Sequence, residues 1–237
     1  MLRFSALENL GVAVAAMSEM RDGDCGFKGP DPTCAARNLQ SVCDSYAVDP
    51  RHLVCAQQVH GSNVAWATDA DRGRNPGGPL DPFPETDALL TGVPRLPLAI
   101  FAADCVPVFL YDARNRIAGL VHAGREGTLA RIAARAVAFM RDERGTRPGD
   151  VHAVIGPSAG PCCYEVAPGM AASFAAAGLP VNGRNLDLWK ANALQLTTSG
   201  VPESHIATIG VCTVCTTTFF SHRREPDGAR NMALLVI

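Results

Sequence analysis

Hydrophobic residues in the segment Leu98–Arg131 form two runs whose length and continuity predict buried β-strands. One run places Cys105 at a strand end. The second delivers His122 before it breaks at Gly124 and continues into a helix. The spacing between this cysteine and this histidine suits consecutive strands of one sheet. We therefore expect the thiol and the imidazole to lie close together.

Amphipathic spacing predicts the helix that follows Gly124. Apolar residues recur three and four positions apart, as they do on one face of a helix, at Leu129, Ile132, Ala133, Ala136, Val137 and Met140. The glycine-containing segment Gly145–Gly149 ends this pattern.

Strands and helices alternate along the rest of the chain. The apolar pattern predicts one or two strands in Arg3–Met17 and further strands at Ala88–Thr91, Val151–Ile155, Ile206–Cys212 and Met232–Ile237. It predicts helices at Ala35–Tyr46, Val166–Ala177 and Leu186–Thr198. This order of elements predicts one α/β or α+β domain over residues 1–237.

Two segments lack such periodicity. Ser18–Thr33 and Ala70–Pro84 are rich in glycine, proline and aspartate, so we expect loops. The second is the better candidate for a mobile lid or a surface excursion. His60 lies between the β-rich runs Leu53–Val59 and Asn63–Ala67, which predicts a hairpin or a tight turn with this imidazole at its lip.

Composition and charge narrow the classes of partner. The 237 residues are 47% hydrophobic with a formal net charge of −2, which supports a substantial core. This charge gives no electrostatic reason to expect nucleic acid or an anionic membrane as partner. No apolar run reaches the ~18–20 residues of a membrane span, and Gly11–Met17 is short for a signal peptide. We expect a cytoplasmic protein and, without a heptad pattern, a monomer.

His60, Cys105 and His122 are the candidates for a metal site. Catalytic zinc takes three protein ligands and leaves a fourth position open, where a bound water ionises near neutral pH. A metal-free alternative uses the same residues, with Cys105 as a thiolate nucleophile and His122 as its base. Asp104 or Asp87 would then orient the imidazole.

The other cysteines offer a second possible site. Nine cysteines without a secretory signal indicate a reducing compartment and mostly free thiols. Cys212 and Cys215 form a CxxC which, together with Cys162 and Cys163, could hold structural zinc or act in redox exchange. A single CxxC is a weak signal, and we interpret these residues as free thiols near the core.

Arginines near two polar turns are candidates for anion binding. Arg125 follows Gly124 at a predicted helix N-terminus, a position that favours anions. Glu126 beside it could act as a general base or complement the helix dipole. Arg223 and Arg224 lie in a polar turn, which is either a solvated loop or a clamp in which paired arginines grip phosphate.

Seven blocks of sequence follow one another in the order QQVHGSNV, ETDALLTG, AADCVPVFLYD, AGLVHAGREGTLARI, IGPSAGPCCYEV, DLWKANALQL and CTVCTTTFFSHRREPDGARNMA. Together they resemble the YfiH/laccase-domain family, also called the peptidoglycan editing factor or multicopper polyphenol oxidase family. The similarity extends from about residue 35 to the C-terminus.

This resemblance implies a fold, a metal and a reaction. The implied fold is a layered α/β/β/α mixed-sheet single domain of the YfiH-like, cysteine-hydrolase-like type. The implied zinc site consists of His60, Cys105 and His122. The implied activity is phosphorolysis of adenosine, inosine and methylthioadenosine and deamination of adenosine. We expect Cys105 and His122 at the reacting centre, and we expect Arg125 and Arg223, the candidates for anion binding, to bind the substrate.

Alternatives come with the same resemblance. They are a copper-dependent polyphenol oxidase, a hydrolase that uses Cys105 on peptidoglycan precursors, and a binding protein that keeps zinc without turnover. Blue-type copper oxidation requires several copper centres with many histidine ligands, and the chain has six histidines. We therefore favour zinc over copper.

One block departs from the family pattern. The block that usually reads HAGWRGT is HAGREGT here, so Arg125 and Glu126 replace a tryptophan and an arginine. An acid in place of an arginine can weaken phosphorolysis or shift its specificity, while Arg125 can substitute for the lost cation with an offset of one residue.

Overall fold

The computed structural model describes residues 1–27, 29 and 31–237. Its strands are β1 (Leu2–Arg3), β2 (Val14–Met17), β3 (Val54–Cys55), β4 (Val64–Ala67), β5 (Ala88–Thr91), β6 (Leu98–Ala102), β7 (Val106–Asp112), β8 (Ile117–Ala123), β9 (Val151–Ile155), β10 (Val181–Asn182), β11 (Asn185–Leu186), β12 (Ile206–Thr208) and β13 (Asn231–Val236). Its α-helices are α1 (Ser5–Glu8), α2 (Pro32–Asp44), α3 (Arg125–Leu129), α4 (Ile132–Arg144), α5 (Pro168–Ala176) and α6 (Leu188–Thr198).

Two mixed sheets form the centre of the fold. One has five strands in the order β1-β2-β13-β6-β3, and the other has six in the order β12-β9-β7-β8-β5-β4. Strands β10 and β11 form a separate antiparallel pair. Parallel and antiparallel neighbours occur within both large sheets, as in the pairs β3–β6, β13–β6, β4–β5 and β7–β8.

Hydrophobic side chains divide the molecule into layers. Helix α2 packs on the outer face of the five-stranded sheet through Leu39, Val42 and Cys43. A second cluster fills the space between the sheets, and helices α4, α5 and α6 cover the outer face of the six-stranded sheet. The arrangement is the layered α/β/β/α fold that the family resemblance implies.

Strand β7 shows why the apolar runs are continuous rather than alternating. All seven of its residues are buried. Val108 and Leu110 point towards the helical layer, whereas Phe109 and Tyr111 point towards the other sheet. A strand that is covered on both faces is a nearly continuous apolar run, which here ends at Asp112. Each buried aliphatic or phenylalanine side chain contributes about 1.5–3 kcal/mol.

The predicted run around Cys105 divides into two strands in different sheets. β6 pairs in the five-stranded sheet and β7 in the six-stranded sheet. Between them Asp104 adopts a positive φ of 80°, a conformation that non-glycine residues rarely take. Cys105 therefore lies where the chain crosses from one sheet to the other. The second predicted strand is β8, which pairs with β7 as expected.

The predicted hairpin around His60 is wrong. β3 belongs to the five-stranded sheet and β4 to the six-stranded sheet, where β4 runs parallel to β5. The short runs predicted a pair because adjacent strands usually join through tight turns. Here the intervening segment instead crosses between the two sheets with His60 at a φ of 61°.

The helix predicted from amphipathic spacing is present with an interruption. Its buried residues Ile132, Ala133, Ala136, Val137 and Met140 face the core as predicted. Arg131 takes a left-handed φ of 63° and separates α3 from α4, because a residue in this conformation cannot continue a right-handed helix. Gly145 ends α4 in a left-handed C-cap.

Most other predicted elements are confirmed, some with shifted ends, as in α2, which begins at Pro32 rather than at Ala35. The predicted strand Ile206–Cys212 is paired only over β12, and Arg3–Met17 contains a helical turn as well as strands. The predicted loop Ser18–Thr33 includes Lys28 and Pro30, which lie outside the described residues. Among the residues that the structure describes, no helix combines the length and apolar character needed to cross a membrane. The boundaries 1–237 stay a prediction.

Gly119 provides a test of the packing between the central strands. It pairs with Leu90 on β5 and Leu110 on β7, and a Cβ placed on it would lie 2.5 Å from Leu90 Cδ2. We expect Gly119→Ala to lower the free energy of unfolding by about 1–3 kcal/mol because the buried layer has no room for a methyl group.

The matched control is Gly169→Ala in α5, where a Cβ meets nothing within 4 Å. This change should leave stability unchanged or raise it by up to about 1 kcal/mol. Urea unfolding measures both variants. Equal stability of the two would contradict the described packing of β5, β7 and β8.

Candidate metal centre and active site

Three side chains from separate segments converge at one end of the six-stranded sheet. Cys105 lies directly before β7, His122 lies near the end of β8, and His60 comes from the segment between β3 and β4. One ligand atom from each of the three lies within 4.8 Å of the others. The two imidazole rings are 5.0 Å apart between centroids and are inclined at 68°. The three residues thus form a group that could hold a metal ion.

Strand register explains the approach of Cys105 to His122. β7 and β8 are antiparallel with Pro107 opposite His122, so the start of β7 meets the end of β8. Gly124 follows at the same edge, and a Cβ on it would lie 3.0 Å from both Cys105 Sγ and His60 Cδ2. A side chain there would press on two members of the group, which is a physical reason for glycine at this position.

A single buried carboxylate holds both histidines. Asp87, fully buried before β5, accepts a hydrogen bond at 2.8 Å from His122 Nδ1. Its oxygens also accept hydrogen bonds from the backbone N–H groups of Val59, His60 and Gly61 at 3.2, 3.0 and 2.7 Å. The contact with Nδ1 directs Nε2 of His122 towards Cys105, as partners of metal-binding histidines commonly do.

Charges within the group shift its pKa values. Burial acts to raise the pKa of Cys105, but the charges and hydrogen bonds of His122 and His60 outweigh it and lower that pKa to about 6. Burial acts to lower the pKa of His122, whereas the Cys105 thiolate and Asp87 together raise it to about 9. Cys105 is thereby held as the thiolate, the form that binds metal and attacks electrophiles.

Asp104 does not orient His122. Its Oδ1 accepts a hydrogen bond from Thr213 Oγ1 at 2.6 Å, and its Oδ2 accepts one from the backbone N–H of Arg223 at 2.7 Å. Of the two aspartates proposed from the sequence, Asp87 therefore contacts the imidazole. Asp104 instead ties the Cys105 turn to the loops near the C-terminus.

The group opens into a cavity of about 1090 Å³. His60, Cys105 and His122 line its floor with Asp104, and the loop predicted at Ala70–Pro84 contributes to its wall. Aromatic side chains border the same space, as do four arginines, which are Arg74, Arg125, Arg223 and Arg230. A cavity of this size accommodates a small organic molecule together with an anion.

Both arginines predicted to bind substrate line this cavity. Arg125 is the first residue of α3, and its pKa is raised chiefly by Tyr164, with Glu126 adding to the effect. Arg223 lies over the ring of Tyr164 at 4.9 Å and donates from Nη1 to the carbonyl of Glu165 at 2.7 Å. Tyr164, which sequence reasoning missed, thus lies between the two cations.

The alternative in which Arg223 and Arg224 grip phosphate together does not fit the structure. Arg224 turns away from the cavity and donates to the carbonyl oxygens of Thr213, at 2.6 Å, of Thr216 and of Phe219, at 2.8 Å. Its guanidinium satisfies loop carbonyls that lack partners in a sheet. Only Arg223 of the two is placed to meet a ligand.

Sequence comparison then decides the family. The family model described as multi-copper polyphenol oxidoreductase laccase matches residues 11–237. The chain belongs to this family. The match covers every element from β2 to β13 and all three members of the donor group.

Relatives of this chain carry a functional name that differs from the description of the family. The chain is 35% identical over 208 residues to purine nucleoside phosphorylase YlmD of Geobacillus stearothermophilus, and the match covers 83% of this chain and 76% of the relative. It is 36% identical over 235 residues to a purine nucleoside phosphorylase of Mycobacterium bovis, covering 95% and 87%.

Comparison with solved structures leads to the same family. The crystal structure of YlmD from Geobacillus stearothermophilus matches with a TM-score of 0.85 at 32% identity over 94% of this chain and 91% of that one. The structure of the hypothetical protein YfiH from Bacillus licheniformis matches with a TM-score of 0.85 at 30% identity over 94% and 92%. The resemblance inferred from the seven blocks is confirmed.

The role of Asp87 can be tested by removing its charge. We expect Asp87→Asn to lower the affinity for Zn²⁺ by about 10–100-fold, because an amide cannot accept all four hydrogen bonds that orient the histidines. Competition with a chromogenic chelator measures this affinity.

Asp112→Asn is the matched control, because Asp112 is equally buried and accepts three hydrogen bonds at the far end of β7. It should reduce stability and leave the affinity for Zn²⁺ unchanged. Equal affinities in the two variants would show that the carboxylate does not support the donor group.

Proposed function

We propose that this chain is a zinc-dependent purine nucleoside enzyme. It cleaves adenosine, inosine and methylthioadenosine with phosphate, and it deaminates adenosine. The observation that carries this proposal is that the His60–Cys105–His122 group opens into a cavity lined by arginine and aromatic side chains. Membership of the family and the names of the YlmD and mycobacterial relatives support the same reaction class.

The donor set suits zinc. Two imidazoles and one thiolate are zinc ligands, and three protein ligands with an open side are typical of a catalytic site. His60, Cys105 and His122 would hold the ion, with the open side towards the cavity. When bound, zinc supplies Lewis acidity to a substrate atom at that side. Copper also accepts two histidines and one cysteine, so metal analysis must separate the two ions.

In phosphorolysis the protein must chiefly position phosphate against the ribose and balance its negative charge. A phosphate oxygen forms a bond to C1′ of the ribose while the bond from C1′ to the purine nitrogen breaks, and its electron pair leaves with the base. Arg125 and Arg223 hold the phosphate on the cavity wall, where their cations balance its charge. Phe101 and Tyr164, which line the same cavity, pack against the flat purine.

Deamination uses the same cavity with water in place of phosphate. Water supplies the oxygen that replaces the amino group of adenine, and ammonia leaves. We expect the exchange of the family arginine for Glu126 to favour this reaction over phosphorolysis, because the carboxylate lies at the cavity and repels phosphate. The ion pair of Arg125 Nε with Glu126 Oε1 at 3.5 Å reduces that repulsion.

Metal analysis and a nucleoside panel test the proposal together. We expect the purified chain to contain zinc and to release adenine from adenosine with phosphate or inosine without it. His122→Ala should lose both the zinc of this site and the turnover, while His52→Ala, on an exposed turn, should keep both. Copper with phenol oxidation, or a metal-loaded chain that turns over no nucleoside, would contradict the proposal.

The phosphate contact has its own test. Arg125→Ala should raise the KM for phosphate by about tenfold or more, since a hydrogen bond to a charged group contributes about 1.5–3 kcal/mol. Arg141→Ala is the control because this arginine pairs with Asp142 on the exposed face of α4. Steady-state rates at varied phosphate measure the effect, and an unchanged KM for Arg125→Ala would refute the assigned role.

A second candidate function rests on one specific contact. Cys105, His122 and Asp87 are arranged as a nucleophile, a base and an orienting acid. This arrangement suits a metal-free hydrolase, for example one acting on a peptidoglycan precursor. Activity that survives a chelator but is lost on alkylation of Cys105 would favour it, and activity that requires metal would exclude it.

A further inference from the structure

Four cysteines outside the cavity form a second donor group. The Sγ atoms of Cys162, Cys163, Cys212 and Cys215 all lie within 4.8 Å of one another. Cys215 Sγ is 3.2 Å from that of Cys163 and 3.5 Å from that of Cys162. We propose that these four thiolates bind a structural zinc ion, separate from the His60–Cys105–His122 group.

The sheet brings the two cysteine pairs together. β9 and β12 are parallel neighbours, so their carboxyl ends meet at one edge of the six-stranded sheet. The loop after β9 carries Cys162 and Cys163, and the segment after β12 carries Cys212 and Cys215. A bridge between Ser158 and Cys212 continues the pairing into the loops, with Thr213 N donating to Ser158 O at 3.0 Å.

The spacing of the sulfurs suits a tetrahedral ion better than a disulfide. A Zn–S distance of about 2.3 Å places the four sulfurs of a tetrahedral site about 3.8 Å apart. The measured distances of 3.2 and 3.5 Å between sulfurs are slightly below that value, and all sulfur pairs in the group lie within 4.8 Å. A disulfide needs about 2.05 Å and would use only two of the four sulfurs.

The backbone around Cys212 stabilises a thiolate. Gly160 N donates to Cys212 Sγ at 3.2 Å. A backbone N–H group directed at a sulfur favours its anionic form. Gly160 permits the approach, because a Cβ on it would lie 2.7 Å from Trp189 Cη2 and 3.2 Å from Cys212 Cβ.

Four thiolates that bind one divalent ion keep a net negative charge, and the cation of Arg224 lies on the same loop. The Arg224 guanidinium donates to the carbonyl oxygens of Thr213 and Thr216, one inside the CxxC turn and one directly after it. Its positive charge therefore lies on the same loop as two of the four sulfurs. A role in binding phosphate does not explain why Arg224 turns away from the cavity, whereas a role beside the cysteine group does.

An ion at this site would stiffen one wall of the cavity. Tyr164 follows Cys163 directly and lines the cavity. Thr213, inside the CxxC, binds Asp104 next to Cys105, and Asp104 also binds the backbone of Arg223. Loss of the ion should therefore loosen the loops that position Tyr164 and Arg223. The exposed thiols of Cys162 and Cys215 give the ion access from solvent.

Counting metal ions in defined variants tests the proposal. We expect the wild-type chain, purified under reducing conditions, to lose one zinc per chain on the double change Cys162→Ser and Cys215→Ser. The zinc that depends on His122 should remain. The control Cys34→Ser, a thiol outside the group, should keep the wild-type zinc content. The same content in the double variant as in the wild type would overturn the proposal.

A second measurement does not depend on the folding of the double variant. His122→Ala removes the first donor group, and cobalt reconstitution then reports the second. Four thiolates around Co²⁺ should give intense sulfur-to-cobalt charge-transfer bands and the d–d absorption of tetrahedral coordination. No such spectrum in His122→Ala, or the visible absorption of an iron–sulfur cluster in the chain as purified, would overturn the proposal of a zinc site.

Discussion

The donor group depends on the carboxylate of Asp87. This fully buried side chain accepts a hydrogen bond from His122 Nδ1 and three more from the backbone N–H groups of residues 59–61. A buried carboxylate is tolerated only when donors surround it, so these four contacts both satisfy the charge and fix the two histidines. The carboxylate thereby joins the backbone of the segment between the sheets to β8 and orients the imidazole of His122.

The hydrophobic pattern predicts the buried strands and most of the helices, and the family resemblance implies the layers, but neither predicts the crossings between sheets. Runs such as Val106–Asp112 predicted buried strands because both faces of these strands are covered. The segments around Cys105 and His60 were harder, because which sheet a strand joins depends on contacts distant in sequence. Asp104 and His60 mark both crossings with positive φ angles, and neither residue type signals such a conformation as glycine would.

The candidate site was partly predictable for similar reasons. His60, Cys105 and His122 could be chosen because each lies beside an apolar run and because the blocks containing them resemble a family. Tyr164 had no signal of its own, since an aromatic residue after Cys163 is also typical of a core. The four cysteines are predicted from the sequence to be free thiols, because a single CxxC is a weak signal of a metal site. Only the parallel pairing of β9 with β12 brings them together.

The most direct measurement is an anomalous difference map from crystals grown with zinc, with data recorded on both sides of the zinc absorption edge. We expect a peak about 2.0–2.3 Å from a nitrogen of His60, from Nε2 of His122 and from Sγ of Cys105. His122 Nδ1 should remain bonded to Asp87. A map without this peak, or a peak whose ligands exclude Cys105, would contradict the account.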